Sequence, residues 1–166
     1  MSGYNPFINI DLRLPNAYFD DVRAYCQTRP EGGRKPDPTQ SPFPRYVDFW
    51  FLAVCAGVAQ SAKVPDEPVG GWRGFITGSE GLGSDGWRID LLELLAIAAR
   101  DDAAIVGEPR QVLDVANRFA SAGVPQVLEW LRSGQSDPID NILDRLRERF
   151  GLEPEVESGA VDASGW

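Results

Sequence analysis

Apolar residues are densest between Ser41 and Gln60, where the chain reads SPFPRYVDFWFLAVCAGVAQ. They recur at helical spacing and cover most of the circumference, which predicts a helix buried on nearly every side. Serine followed by proline is typical of a helix start, so we expect this helix to begin near Ser41. The run is shorter than the roughly 20 apolar residues that a membrane span needs. The pattern therefore predicts a central core helix, in which Cys55 is a small apolar side chain.

A second apolar run, GWRIDLLELLAIAAR, follows Ser84 and Asp85, which we expect to cap a helix. Two faces of this helix are apolar, and only a narrow stripe with Asp90 and Glu93 is polar. A helix with so little polar surface is expected to be largely buried. We therefore predict that it is the main packing partner of the central helix.

Proline and glycine divide the C-terminal third of the chain. Proline is common at the start of a helix and glycine just after its end. By this rule three short helices span residues 109–123, 125–134 and 137–151. The connections between them are short, so we expect neighbouring helices to pack against each other.

Near the N-terminus, residues Phe7 to Leu14 alternate between apolar and polar side chains, which is the period of a half-buried strand. Elsewhere only Gly74 to Thr77 looks extended, so the pairing of this arm stays open. A short helix is expected to start at Pro15 and to end by Pro30.

Glycine and proline are frequent in two segments, which predicts long loops at Glu31–Gln40 and Ser61–Ser84. The second segment also contains apolar residues, which favour packing of this loop onto the rest of the domain. Residues 152–166 contain four acidic and no basic side chains, which predicts a disordered tail. Residues 1–151 are then a single domain. We predict a mainly α fold, a compact helical bundle around the buried central helix, with a short N-terminal strand-like arm and long loops.

Composition narrows the possible chemistry. The 166 residues include no histidine, which excludes Ser-His and Cys-His nucleophile pairs and ordinary histidine metal sites. The formal net charge is -9 and the lysines are Lys35 and Lys63, so we expect no direct nucleic-acid binding by the isolated chain. Asp48, Asp90 and Glu93 could hold a divalent ion, but a carboxylate near a helix N-terminus is the simpler interpretation of Asp48. We predict no cofactor and no metal site.

Two further features have simple structural interpretations. Cys26 and Cys55 are isolated, and the N-terminal residues show no signal-peptide core, which predicts a reduced, cytoplasmic location and leaves a disulfide between them open. The segment GLGSDG fits the spacing of a dinucleotide-binding loop, but no βαβ pattern surrounds it. We interpret this segment as a loop and a helix cap.

Arginine and aromatic residues near helix starts are candidates for partner binding. Arg45 and Tyr46 precede the central apolar run, and Arg88 lies in the first turn of the second helix. Trp72 and Arg73 lie in the second predicted loop, where a large aromatic side chain either packs on its own domain or completes an interface. We predict that these five residues contact a partner protein. Structural anchoring of the helix starts is the alternative.

Two segments carry a family resemblance. RYVDFWFLAVCAGVA, followed after a glycine-rich gap by FITGSEGLGSDGWRIDLLELLAIA, resembles small helical accessory proteins encoded beside bacterial DNA phosphorothioation (Dnd) and related phage-defence systems. The resemblance covers about 60 residues. It implies a non-enzymatic subunit that acts with larger defence proteins, and it implies no catalytic residue.

These observations favour a non-enzymatic accessory or adaptor subunit that acts through protein contacts. We expect its partner to be a larger subunit of a multi-protein system, and we expect no membrane association. An acidic DNA-mimic inhibitor is an alternative, because the net charge is -9 with few lysines. A carboxylate-dependent metalloenzyme that uses Asp48, Asp90 and Glu93 is a third hypothesis.

Overall fold

The computed structural model describes residues 4–28, 36–83 and 85–151. Within these residues the chain forms six α-helices and two strands: β1 Asp11–Pro15, α1 Phe19–Ala24, α2 Tyr46–Gln60, β2 Trp72–Thr77, α3 Gly78–Gly81, α4 Gly86–Arg100, α5 Pro109–Arg132 and α6 Pro138–Phe150. Short 3₁₀ helices, Asn16–Tyr18 and Ala103–Gly107, precede α1 and α5. The predicted mainly α fold is confirmed. The predicted tail and residues 31–35 of the first predicted loop lie outside the described residues.

The longest helix, α5, runs without interruption through Gly123 and Pro125. The prediction of one helix that ends at Gly123 and another that starts at Pro125 is therefore wrong. Gly123 is buried in a helix-helix contact rather than at a helix end. Pro125 is exposed, so its ring points away from the packed face of α5.

The backbones of α2 and α5 approach each other closely. A Cβ on Gly123 would lie 2.7 Å from the backbone nitrogen of Gly57 and closer still to the carbonyl oxygen of Ala53. A Cβ on Gly57 would in turn collide with the carbonyl of Phe119. The prediction that α4 is the main partner of α2 is wrong, because α2 packs mainly against α5 and α4 packs against α5 and the second 3₁₀ helix.

This packing leaves one side of both α2 and α4 uncovered. Cys55 and Val58 of α2 are exposed, and so are Trp87, Leu91 and Leu94 of α4. The predictions that α2 is buried on nearly every side and that α4 is largely buried are therefore wrong. α5 covers a single face of α2, and α4 does not close over the opposite one.

The start of α2 also differs from its prediction. The helix begins at Tyr46 and not near Ser41, whose hydroxyl donates to the carbonyl oxygen of Ala24 at 2.8 Å. Phe43 forms an isolated parallel bridge with Cys26 instead. A residue that precedes a proline avoids the helical region, and Pro44 therefore keeps Phe43 extended.

The strand-like arm pairs with the second predicted loop. β1 and β2 are antiparallel, from Asp11 opposite Thr77 to Pro15 opposite Trp72, with an irregularity between Leu12 and Arg13. The arm begins pairing at Asp11 rather than at Phe7, because Phe7 is already in a turn. Residues 61–84 are thus not one loop, since they contain β2 and α3.

A single cluster of buried apolar side chains joins the sheet to α1, α2, α4, α5 and α6. The side chain of Asn117 on α5 lies inside it and accepts hydrogen bonds from the backbone nitrogen of Arg13 at 2.9 Å and from Nε1 of Trp50 at 3.2 Å. None of the helices in residues 4–28, 36–83 and 85–151 combines the length and the apolar character of a bilayer span.

Candidate functional site

An apolar groove with a volume of about 400 Å³ lies between α2 and α4. We call it the α2–α4 groove. Its lining consists of Phe51, Val54, Cys55, Val58 and Ala59 of α2, Leu91, Leu92 and Leu95 of α4, and Phe150 at the end of α6. The volume matches that of small-molecule sites, but such sites also present a few convergent polar groups. This lining is apolar apart from one thiol, so it favours an apolar ligand surface over catalysis.

Beside the groove, α4 presents a row of exposed apolar side chains, which we call the α4 stripe: Trp87, Leu91, Leu94 and Ala98. Trp87 is 55% exposed, Leu91 48% and Leu94 60%. Their spacing of four and three residues places them along one face of the helix. Together the groove and the stripe form a continuous apolar surface, which is the kind of patch that marks an interaction site.

Arg88 lies beside Phe51, one of the residues that line the groove. Its guanidinium carbon lies 5.3 Å from the ring centre of Phe51 and 5.1 Å from that of Trp87, and the two rings meet edge to face. Nη2 of Arg88 donates to Oδ1 of Asp48 at 2.9 Å. The side chain of Arg88 is only 13% exposed, so it ties the first turns of α2 and α4 together.

Asp48 is the point where two of the predicted partner-binding residues meet. Its carboxylate accepts from Nη2 of Arg45 at 3.0 Å as well as from Arg88, and it also accepts from the backbone nitrogen of Arg45 at the start of α2. Burial raises the pKa of Asp48, but the hydrogen bonds from Arg45 and Arg88 outweigh it, and the pKa lies below its ordinary value. A carboxylate that two guanidiniums already neutralise is a poor cation ligand.

The other predicted partner-binding residues lie around the sheet. The guanidinium of Arg73 is 4.0 Å from the ring centre of Phe19, and that ring stacks on Tyr46 with 6.0 Å between ring centres. Trp72 lies in β2, partly buried, with the guanidinium of Arg13 5.6 Å from its ring centre. Trp72 is therefore not in a free loop. Partner binding by these residues stays a prediction.

The remaining carboxylates of the metal hypothesis do not join Asp48. Among the described residues there is no group of three or more histidine, cysteine, aspartate or glutamate side chains able to hold a metal ion. Burial raises the pKa of Glu93, and the nearby Asp90 raises it further.

The glycines of the GLGSDG segment have structural explanations. A Cβ on Gly81 would lie 3.0 Å from side-chain atoms of Leu12 and Ile76, so the close packing there favours glycine. Gly83 has a φ of 51°, which is a left-handed conformation that also favours glycine.

Acidic side chains elsewhere are interspersed with arginines. Arg118 pairs with both Asp114 and Glu67, and Arg132 pairs with Asp21. On α6 the ion pairs Arg145–Glu148 and Arg147–Asp144 repeat this arrangement. A DNA mimic needs rows of uncompensated carboxylates, so this pairing does not favour that alternative.

No family model, curated protein or solved structure matches this chain. The apolar pattern of the sequence does not predict the groove. Leu91 and Leu94 belong to the apolar pattern of α4, but a periodic pattern does not tell which apolar face a neighbouring helix covers.

Proposed function

We propose that the protein is a non-enzymatic accessory or adaptor subunit that acts through protein contacts, and that a helix of a partner protein docks on the α2–α4 groove and the α4 stripe. The observation that carries the proposal is the exposure of Trp87, Leu91 and Leu94 next to an open apolar groove. A single exposed leucine needs no explanation, whereas a contiguous apolar face does.

Covering the exposed apolar side chains would contribute to the affinity for a partner. Full burial of a leucine or a larger apolar side chain contributes about 1.5 to 3 kcal/mol. Roughly half of each of the three α4 side chains is exposed, so covering them would contribute on the order of 3 kcal/mol. Phe150, which is 65% exposed at the end of the groove, adds to this.

A helix is the occupant that fits the geometry. The surface is a groove between two helices with an apolar row at intervals of four, three and four residues, and this spacing complements the apolar face of another helix. The resemblance to Dnd accessory proteins supports the narrower proposal that the partner is a larger subunit of a bacterial DNA-modification or restriction system.

Affinity capture from the native host tests the proposal with a matched pair of variants. Leu91→Ser/Leu94→Ser removes the middle of the α4 stripe. Ile8→Ser/Val69→Ser removes two apolar side chains that are 54% and 96% exposed elsewhere. We expect the wild type and Ile8→Ser/Val69→Ser to capture one identifiable partner, and Leu91→Ser/Leu94→Ser to lose it. Circular dichroism should show that all three proteins are folded. Equal recovery with both variants, or recovery of the free chain alone from all three, would contradict the proposal.

A second comparison in the same experiment addresses the residues around the sheet. Trp72→Ala/Arg73→Ala is expected to weaken the association if the predicted partner-binding residues extend the contact. Retention of the partner by this variant, with loss by the groove variant, would restrict the interface to the groove.

A further inference from the structure

We infer that the α4 stripe pairs with the α4 stripe of a second copy of this chain, antiparallel about a two-fold axis, when no other protein covers it. This pairing goes beyond the proposed function, because it concerns the free protein. A partner helix that docks on the same surface would replace the second copy.

The stripe faces away from the rest of the domain. Ile89, Leu92 and Ala96 are buried and mark the side of α4 that packs on the core. With 3.6 residues per turn, Leu94 and Ala98 lie on nearly the opposite side of the helix. Because α4 is folded as part of the domain, a pairing here carries no cost of forming the helix. This side of α4 is therefore the one on which a second helix can lie.

The spacing within the stripe is that of a coiled-coil seam. Its side chains follow one another at intervals of four, three and four residues, as the a and d positions of a heptad do. Such a seam packs against a second helix with the same spacing. The α4 helix of another copy has this spacing.

The sizes of the side chains select the antiparallel arrangement. The midpoint between Trp87 and Ala98 along α4 is also the midpoint between Leu91 and Leu94. A two-fold axis through this point places Trp87 of each copy opposite Ala98 of the other, and Leu91 opposite Leu94. The largest side chain of the stripe then meets the smallest, which fills the contact without a gap. A parallel pair would instead crowd two tryptophans together and leave a gap between two alanines.

The apolar area agrees with what a dimer needs. Among the residues that the structure describes, five of the nine large apolar side chains that are exposed belong to the stripe or to the groove, which adjoins it at Leu91: Val58, Trp87, Leu91, Leu94 and Phe150. They are between 37% and 65% exposed, and together they offer on the order of 400 Å². Stable interfaces bury about 600 to 1,000 Å² per partner, roughly 60% of it apolar. The surface therefore suits a dimer at the lower end of this range.

Charge opposes the pairing, and apolar contact favours it. Each copy has a net charge of -9, so two copies repel each other at long range, and salt screens this repulsion. Trp87 is held in place before pairing, since its ring meets that of Phe51 edge to face at 5.3 Å. A dimer formed through the stripe should therefore become tighter as the salt concentration rises, whereas a contact formed by ion pairs would become weaker.

Sedimentation velocity of the full chain over a series of concentrations measures the pairing. We expect a monomer–dimer equilibrium with a Kd in the micromolar range that is tighter at high salt than at low salt. Leu94→Glu places a charge in the centre of the contact and should weaken the dimer about tenfold or more. Val69→Glu is the matched control. It changes the net charge equally at a side chain that is 96% exposed outside the stripe, and it should pair as the wild type does.

An exchange of sizes tests the antiparallel arrangement. Trp87→Ala and Ala98→Trp each remove the match of a large side chain with a small one, so each should weaken the dimer about tenfold or more. Trp87→Ala/Ala98→Trp restores the match with the sizes reversed, and it should pair more tightly than either single variant. Circular dichroism should show that all three variants are folded. A tighter dimer for Ala98→Trp, or a double variant weaker than both single variants, would overturn the antiparallel pair.

Other results would also overturn the inference. A wild type that stays monomeric throughout the series would leave the surface to another protein, to residues 152–166 of the chain or, if the protein floats with phosphatidylcholine vesicles, to lipid. Growth beyond a dimer would exclude the two-fold axis, because head-to-tail contacts do not close at two copies. A dimer that Leu94→Glu leaves unchanged would lie elsewhere on the molecule.

The proposed function can fail separately. If the wild type dimerises and Leu91→Ser/Leu94→Ser still captures the partner, the stripe pairs copies of this chain and the proposed partner helix is excluded. If the wild type is monomeric and that variant loses the partner, the proposed function stands and the second copy is excluded.

Discussion

The contact between α2 and α5 makes one substitution unusually informative, namely Gly123→Ala. Alanine is favoured over glycine in an unhindered helix interior by about 1 kcal/mol. At Gly123, however, the added Cβ would lie 2.7 Å from the backbone nitrogen of Gly57 and closer still to the carbonyl of Ala53. These are backbone atoms, which cannot rotate away as a side-chain end can.

The helices must therefore separate to accept the methyl group. Overpacking of a well-packed core costs about 1 to 3 kcal/mol, and occasionally more. The separation also loosens the buried side chains on both sides of the crossing. Because this loss exceeds the gain in helix propensity, we expect a net destabilisation of about 2 kcal/mol, which corresponds to a decrease in Tm of roughly 4 to 8 °C for a chain of this size.

Urea unfolding followed by far-UV circular dichroism measures the change. Gly86→Ala is the matched control, because a Cβ there would have nothing within 4 Å, and its effect should stay within about 0.5 kcal/mol. Gly57→Ala should destabilise as Gly123→Ala does, since its Cβ meets the carbonyl of Phe119 at the same crossing. An increase in stability for Gly123→Ala would refute the close approach of α2 and α5 at this residue. A loss for Gly123→Ala alone would show that the glycine serves a helix end instead.

Three further substitutions test the fold. Pro125→Ala should stabilise the protein by about 1 to 3 kcal/mol, because α5 is continuous there and alanine restores a helical hydrogen bond; a lower Tm would indicate that a helix starts at this proline. Asn117→Ala should destabilise by about 2 to 4 kcal/mol in urea unfolding, because the backbone of β1 and the indole of Trp50 lose their acceptor; a loss below about 1 kcal/mol would contradict this bonding. Burial raises the pKa of Asp48, but the hydrogen bonds from Arg45 and Arg88 hold it below its ordinary value overall, so the stabilising contribution of the carboxylate is present at neutral pH and is lost as the pH falls through the folded-state pKa. Asp48→Asn should therefore be less stable than the wild type at pH 7, and the difference should shrink below about pH 4; a gap independent of pH would exclude the charge as its cause.

Local patterns predicted the helices whose ends are set by local chemistry. The apolar run of α4 predicted the helix with the boundaries that the structure shows, and Pro138 and Gly151 mark the two ends of α6. Both features depend on residues near in sequence, and rules based on one sequence describe such residues well. The alternation of apolar and polar side chains from Phe7 to Leu14 predicted the strand-like arm in the same way.

Features decided by distant residues were not predicted. Gly123 and Pro125 resemble the boundary between two helices, and only the approach of α2 explains why a glycine is needed inside α5. Ser41 resembles a helix cap, but its hydroxyl bonds to Ala24 on another segment. The groove was missed for the same reason, because an apolar residue such as Leu94 is assigned to a core until its neighbours are known.

The sizes of the side chains do contain a signal for the pairing that the apolar pattern missed. One face of α2 carries small residues at a spacing of four, Ala53 and Gly57, and α5 carries Ala116, Ala120 and Gly123 at a similar spacing, all of them buried. Small residues on both helices allow their backbones to approach closely. The larger apolar side chains of α2 that line the groove lie outside this contact. The face of α2 with small residues thus identifies its partner within the chain, whereas the face with Phe51, Cys55 and Val58 lines the groove, to which α5 contributes no residue.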